Sequence, residues 1–348
     1  MRFALFDWLD DTGRGVGRSY QDRLRLVEQA DRAGFYCYHA AEHHATPLST
    51  LPSPNLFLAA AAARTSRIRL GALAYVLTFY QPLRLMEELA MLDQLSDGRL
   101  EVGLSRGPSP YEMATYGIRM DESRAIFEEA MRIVLQGLAE GRVDFHGKYF
   151  RYDNVETGIR PVQKPYPPLW YPTSNLESIP WLASQGFSAI FSAHLATKVE
   201  DIWAMLARYR EEYAKHRDDE GRLNGHVKEP NQGFMMHVHI ADTDDEAVDR
   251  ARKSWEHFFS NFAYLWIKNG DTARYEKRSS FDQLLAEGKL LIGSPRTVRE
   301  RLQRYVEASG ANYFIGAFSW GNFTPEQIER SLGLFASEVM PAFTLTPA

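Results

Sequence analysis

The sequence predicts an α/β protein built as a single (β/α)8 TIM barrel with insertions, and three observations carry that expectation. Short apolar runs alternate with amphipathic stretches along the whole chain, the pattern of strands each followed by a crossover helix. Eight such pairs are present, the number that closes a parallel sheet on itself. The chain has 348 residues and no composition shift that would mark a boundary between two stacked open sheets. Barrels of this kind run from about 200 to over 400 residues, so residues 1–348 are read as one domain.

The elements follow in order. Arg2 to Trp8 reads as the first strand. Tyr20 to Ala33 has helical spacing at Leu24, Val27 and Ala30 and stops at Gly34. Phe35 to His39 is the second strand, and Pro54 opens a helix through Arg64 from the position where its missing N–H costs nothing. Ile68 to Leu77 alternates as a third strand, Leu83 to Leu95 is helical, and Arg99 to Leu104 is the fourth strand. A long amphipathic helix covers Glu122 to Ala139. Residues 142–153 form an insertion, where Val143 to Tyr152 alternates aromatic and polar residues as a small hairpin. Leu169 to Pro172, Ala189 to Ser192, Phe234 to Ile240 and Tyr313 to Phe318 complete the strands. Their helices are Ile179 to Gln185, Val199 to His216, Asp245 to about Leu265, and Pro325 to Ser337, with another at Thr297 to Ala308. Two stretches break the repeat. Residues 217–231 are polar and read as a surface loop, and residues 269–290 read as a mobile lid or a peripheral helical insertion.

Composition excludes several classes. Hydrophobic residues make up 45% and charged residues 24%, an ordinary globular balance that rules out disorder, collagen and coiled coil as the main state. A net charge of -5 argues against a general polyanion binder. No apolar run approaches the roughly 20 residues of a membrane span, and the N-terminal residues lack the order of a signal peptide. A single cysteine, Cys37, forbids an intrachain disulfide, removes a thiolate zinc site and fits a cytoplasmic location.

In such barrels the chemistry sits at the C-terminal ends of the strands. Arg106, in Gly103-Leu104-Ser105-Arg106-Gly107, offers a bidentate cation beside flexible backbone. Ser174, Asn175 and Ser178 stand at a helix start whose free N–H groups attract anions. Together they make a monophosphate cradle, unless Arg106 bridges a structural carboxylate and Ser174 only caps a helix. Glu42-His43-His44 supplies a base near neutral pH, although two adjacent side chains on a strand cannot both point inward. The same run as a metal site is disfavoured, because consecutive residues rarely reach one tetrahedral centre. His237 and His239 share one face of the seventh strand and read as barrel-interior groups; His194 is open between interior and mouth. No G-x-S-x-G, P-loop or G-x-G-x-x-G follows a strand. Trp8, Tyr75, Phe79, Tyr80, Tyr111 and Trp320 lie near strand ends and suit an apolar pocket for a planar cofactor or organic substrate, with plain core as the alternative for each.

These residues, read in sequence, resemble the bacterial luciferase-like family of flavin-dependent monooxygenases over nearly the whole length. The likeness rests on Ala41-Glu42-His43-His44, on Gly71-Ala72-Leu73-Ala74, and on Leu92-Asp93-Gln94-Leu95-Ser96-Asp97-Gly98-Arg99 leading into Gly103 to Gly107. It continues in Ile292-Gly293-Ser294-Pro295 and Phe335-Ala336-Ser337-Glu338-Val339-Met340-Pro341.

The resemblance implies a barrel that binds reduced FMN, supplied by a separate NAD(P)H-dependent flavin reductase, and reacts it with dioxygen. A flavin hydroperoxide would then oxygenate a small organic substrate. It implies His43 as the catalytic base or proton shuttle, with Glu42 beside it. It implies Arg106, with Ser105, Tyr111, Ser174, Asn175 and Ser178, around the flavin phosphate. A non-proline cis peptide is expected at Leu73-Ala74 under the flavin ring. Trp8, Tyr75, Phe79 and Trp320 are assigned to the substrate pocket. Two departures stand out: Ser105 replaces the reactive cysteine of the light-emitting α chain, and Ser174 replaces a phosphate-loop glutamate, so light emission is not implied. Two other readings keep the fold: a deazaflavin-dependent hydride-transfer enzyme and a non-catalytic flavin-binding subunit. A homodimer through helices near the second and third strands is also implied, with the Ala59 to Ala63 run allowing close helix approach.

Overall fold

Eight parallel strands close on one another in the computed structural model, which describes residues 1–272 and 280–343. In chain order the strands are β1 (Arg2–Asp7), β2 (Cys37–Ala40), β3 (Arg69–Val76), β4 (Leu100–Ser105), β5 (Arg142–His146), β6 (Arg151–Glu156), β7 (Leu169–Pro172), β8 (Ser188–Ser192), β9 (Gln232–Ile240), β10 (Leu290–Gly293) and β11 (Tyr313–Ser319). The barrel runs β1-β2-β3-β4-β7-β8-β9-β11 and returns to β1. β5 and β6 pair only with each other, antiparallel, as the hairpin expected at 142–153. All eight barrel strands fall where the alternating pattern placed them.

Helices pack around the strands: α1 (Val16–Ala33), α2 (Pro54–Ala62), α3 (Pro82–Leu95), α4 (Pro110–Thr115), α5 (Ser123–Glu140), α6 (Ile179–Ser184), α7 (Val199–His216), α8 (Asp244–Lys268), α9 (Phe281–Ala286), α10 (Pro295–Ser309) and α11 (Pro325–Leu334). Their ends follow local chemistry. α1 stops because Gly34 takes φ 82°, the left-handed cap that a side chain would resist. α10 starts where Ser294 accepts from the Thr297 N–H and Pro295 occupies the first turn. Among the described residues no helix is long and apolar enough to cross a membrane.

β9 and β11 approach so closely that a Cβ on Gly233 would fall 1.8 Å from the Tyr313 carbonyl oxygen, so only glycine fits there. Trp170 and Tyr313 fill the barrel interior with ring centroids 4.9 Å apart, whereas Phe234 and Phe314 pack outward against Trp203 and Phe335 in the helix layer. The Leu73-Ala74 peptide is cis, as the resemblance implied, and the β3–β4 register shifts between Ala72 and Tyr75.

The stretch 269–290 holds a short helix, in line with one of its two readings, a helical insertion: Ser280 and Gln283 form a capping box that opens α9; the strand β10, which begins at Leu290, was not expected. β10 is a ninth strand in the main sheet, pairing from Leu290↔His237 to Gly293↔Ile240, along the C-terminal half of β9. Residues 273–279 of the expected lid lie outside the described residues. The polar stretch 217–231 is also more than a surface loop. Asn224 is buried, accepts from the Leu169 N–H at 2.9 Å and donates to the Gly186 carbonyl at 2.7 Å, tying the stretch beneath β7 and β8.

Candidate active site

A cavity of about 700 Å³ opens at the C-terminal ends of the strands. Each side of it comes from a different βα unit: Trp8 after β1, His43 after β2, Leu73 in β3, Ser109 and Glu112 after β4, Ser174 after β7, and Ser192 and His194 after β8. α8 roofs it with Trp255, Phe259, Phe262 and Trp266, and Glu287 and Lys289 reach it from the turn before β10.

The two adjacent histidines lie in the loop after β2 and diverge there, so the strand alternation assumed from the sequence is not what separates them. His43 faces the cavity, with its Nδ1 3.1 Å from Glu112 Oε1. The other Glu112 oxygen accepts from the His44 backbone N–H at 3.0 Å, so one carboxylate fixes both the ring and the loop that carries it. His44 turns away and is buried between Glu42 Oε1 (2.8 Å) and the Tyr116 hydroxyl (2.7 Å). Glu42 does not line the cavity. Its second oxygen accepts from the Val76 N–H and the Tyr80 hydroxyl, both at 3.0 Å, which places it as a brace between β2 and the end of β3. Burial pushes the Glu42 carboxyl above its ordinary value, against the pull of these hydrogen bonds.

Arg106 follows β4 and is half-buried. Its guanidinium makes no ion pair or hydrogen bond among the described residues, and it lies close enough to Tyr171 to bias that phenol electrostatically. Among the described residues no carboxylate pairs with it, as the alternative open in the sequence would require. Ser105 is turned inward on its own loop, its hydroxyl accepting from the Gly107 N–H at 3.0 Å. Ser174 lines the cavity. Asn175 accepts from the Glu177 N–H at 2.9 Å, and the Ser178 hydroxyl donates to the Asn175 carbonyl at 2.7 Å, so these two shape the loop around Ser174. Tyr111 stands edge-on to Trp266, ring centroids 5.1 Å apart, and its hydroxyl donates to Asp271 at 3.4 Å.

Of the aromatic residues assigned to the substrate pocket, only Trp8 lines the cavity. Tyr75 packs toward α2, where its hydroxyl donates to Asn55 Oδ1 at 2.6 Å. Phe79 stacks on Tyr116 with centroids 4.6 Å apart. Trp320 is fully buried against Phe323 and His237. Ala74 is buried behind Leu73 and does not line the cavity, whereas Leu73 does.

His237 is barrel interior. Its ring stacks on Trp8 at 5.0 Å, neither nitrogen has a hydrogen-bond partner among the described residues, and burial drives its pKa well below the ordinary value. His194 reaches the mouth and meets His237 edge-on at 4.8 Å.

Two groups were missed in the sequence. Ser109-Pro110-Tyr111-Glu112 has the S-x-x-E spacing of a capping box, and Ser109 does cap α4. The Glu112 carboxylate, however, is spent on His43 and the His44 N–H. The second is the aromatic row Trp255, Phe259, Phe262 and Trp266, spaced i, i+4, i+7, i+11 on α8. That spacing was readable as one helix face, and nothing in it separates a cavity wall from ordinary core.

Comparison with known proteins agrees with this geometry. The family model described as luciferase-like monooxygenase matches residues 1–312. A protein of Sinorhizobium fredii named uncharacterized protein y4wF is 33% identical over 98% of this chain and 96% of its own length. The oxygenase component of the flavin-dependent trigonelline monooxygenase of Acinetobacter baylyi is 26% identical over 99% of this chain and 96% of its own. The crystal structure of monooxygenase RslO1 from Streptomyces bottropensis superposes with a TM-score of 0.87 at 28% identity, covering 99% of this chain and 100% of that one. A parallel barrel with this mouth, matched over most of its length by one family model, makes the chain a member of the luciferase-like monooxygenases and an enzyme of the oxidoreductase class.

Proposed function

We propose that the protein is the FMN-dependent oxygenase of a two-component system, receiving reduced FMN from a separate NAD(P)H-dependent reductase and oxygenating a small organic substrate. The observation that carries this reading is Arg106, a half-buried guanidinium in the loop after β4 with no anion of its own among the described residues, on the same end of the barrel as Ser174, which lines the cavity. An arginine held this way fits a monophosphate, because its planar donors match phosphate oxygens in pairs. The relative named as an oxygenase component of a flavin-dependent monooxygenase supports the two-component arrangement.

Reduced FMN, when bound, would supply the electrons that activate dioxygen, and the chain's own residues do the rest. Arg106 and Ser174 hold the phosphate, and Asn175 and Ser178 shape their loop. Tyr111 borders the same end, and Leu73 presents an apolar surface to the ring. Glu112 accepts from His43 Nδ1–H, which leaves Nε2 with its lone pair to take and return a proton. The α8 aromatic row and Trp8 exclude water from the reacting centre.

The test is stopped-flow absorbance, mixing anaerobic protein and reduced FMN with oxygenated buffer. A slowly decaying blue-shifted species before oxidised FMN appears is the expected outcome. Oxidation at the rate of free reduced FMN, across a substrate panel, would overturn it in favour of a deazaflavin hydride-transfer enzyme or a non-catalytic flavin-binding subunit. A homodimer through α2 and α3 belongs to the same proposal. Leu56 (77% exposed), Met91 (55%) and Leu95 (54%) lie on these helices, and light scattering reads the mass.

A further inference from the structure

A lysine lines the cavity: Lys289, immediately before β10, stands beside β9, which is three strands around the barrel from β4 and the Arg106 that follows it. The lysine side chain is 5% exposed, and the one ion pair it makes among the described residues is to Glu287 Oε2 at 2.7 Å. The two partners are unequally held. Lys289 is confined by burial, whereas Glu287 is 40% exposed and both face the cavity. A buried ammonium needs an anion, but nothing requires that anion to be this carboxylate, which loses little by swinging into water. Flat apolar surfaces line the same cavity as Lys289: Trp8, Phe259, Phe262 and Trp266.

We propose that Lys289 anchors the carboxylate of a flat, aromatic organic acid that is the substrate, and that the incoming carboxylate displaces Glu287 from it. This rests on the reading above that Arg106 takes the flavin phosphate, which leaves Lys289 as the anion anchor on the substrate side. The acid's ring lies along the aromatic row of α8, where stacking and offset contacts favour planar bodies over branched aliphatic ones. The ion exchange is balanced: one carboxylate leaves the ammonium as another arrives, and Glu287 gains hydration. Specificity comes from the cost of leaving Lys289 without an anion when a neutral analogue enters.

The experiment is calorimetric titration of the full chain with 1-naphthoate, 1-naphthamide and 1-naphthylmethylammonium, with and without saturating FMN. A charge-assisted contact of this kind is expected to favour the acid over the amide by about tenfold. Lys289→Met should bring that ratio to near one while amide affinity holds, and Lys289→Arg should keep the preference. Glu287→Gln should raise acid affinity, since the competing carboxylate is gone. Equal binding of acid and amide to the natural protein, a ratio that Lys289→Met does not move, or preference for the ammonium probe would each overturn the proposal. FMN titration in the same samples separates the two readings. Loss of FMN binding with the acid preference intact removes the flavin reading and leaves Lys289 as the anchor.

Discussion

At the N-terminal end of the barrel, the charges on β3 and β4 have their partners among the described residues. Glu101, near the start of β4, accepts from the Trp170 indole N–H, from the Tyr36 hydroxyl at 3.2 Å and from Arg69. Arg69 donates further to the Leu100 carbonyl at 2.9 Å and to Gln163 at 2.8 Å, and His39 meets the Tyr313 hydroxyl at 2.9 Å. At the C-terminal end the same residue types are left open. Arg106 has no anion among the described residues, and Lys289 has one exposed partner. His43 is held by a single nitrogen. The contrast teaches where this fold spends polar groups on stability and where it keeps them for a ligand. A buried charge network that is fully satisfied rigidifies the sheet, whereas an unsatisfied one is tolerable only beside a cavity that something else fills.

The sharpest test of that contrast is Glu101→Ala. It strips the anion from Arg69, whose side chain is 20% exposed, and the acceptor from the fully buried Trp170. Breaking a buried pair from one side costs about 3–5 kcal/mol, read as a lower urea midpoint. FMN affinity of the folded fraction should not change. A midpoint shift within about 0.5 kcal/mol, the range of ordinary surface substitutions, would break the comparison.

How much of this was legible follows from the same contrast. The eight barrel strands were readable because a strand enclosed by helices is a short continuous apolar run between helical stretches. β10 was not, because Leu290-Leu291-Ile292-Gly293 is only four residues long and sits in a polar stretch. Arg106 was readable as a candidate because a guanidinium beside glycines and hydroxyls has few structural uses. Tyr75, Phe79 and Trp320 were assigned to the pocket by nearness to strand ends, but nearness does not fix direction, and each turns into packing instead. Glu112 was hidden by its own capping spacing, since the pattern explains the residue before the fold brings His43 to it.

Arg106→Ala probes the open end and should invert the first result. Stability should move by no more than about 0.5 kcal/mol, because the side chain has no partner to orphan. FMN should bind roughly 10- to 100-fold more weakly, the worth of a charged contact to phosphate, while riboflavin, which lacks the phosphate, binds as before. Equal losses for FMN and riboflavin in parallel fluorescence titrations would remove Arg106 from the phosphate site.

The smallest expected effect is the most specific. Glu112→Gln keeps the shape of the side chain and one acceptor oxygen. That oxygen goes to the His44 N–H, where a backbone donor leaves no choice, so the amide NH2 faces His43 Nδ1 in place of a carboxylate oxygen. An NH2 donates, and His43 must then present its lone pair at Nδ1 and carry its proton on Nε2. The ring keeps its position but loses the base at the nitrogen that Glu112 leaves open. Product formed per reduced FMN consumed should fall about tenfold, less than the roughly 10²- to 10⁴-fold a positioned base contributes, because the imidazole itself stays in place. FMN affinity and the unfolding midpoint should hold. His43→Ala provides the limit, flavin binding retained and product lost. If Glu112→Gln couples as well as the natural protein while His43→Ala does not, the carboxylate only braces the loop, and the tautomer of His43 is set elsewhere.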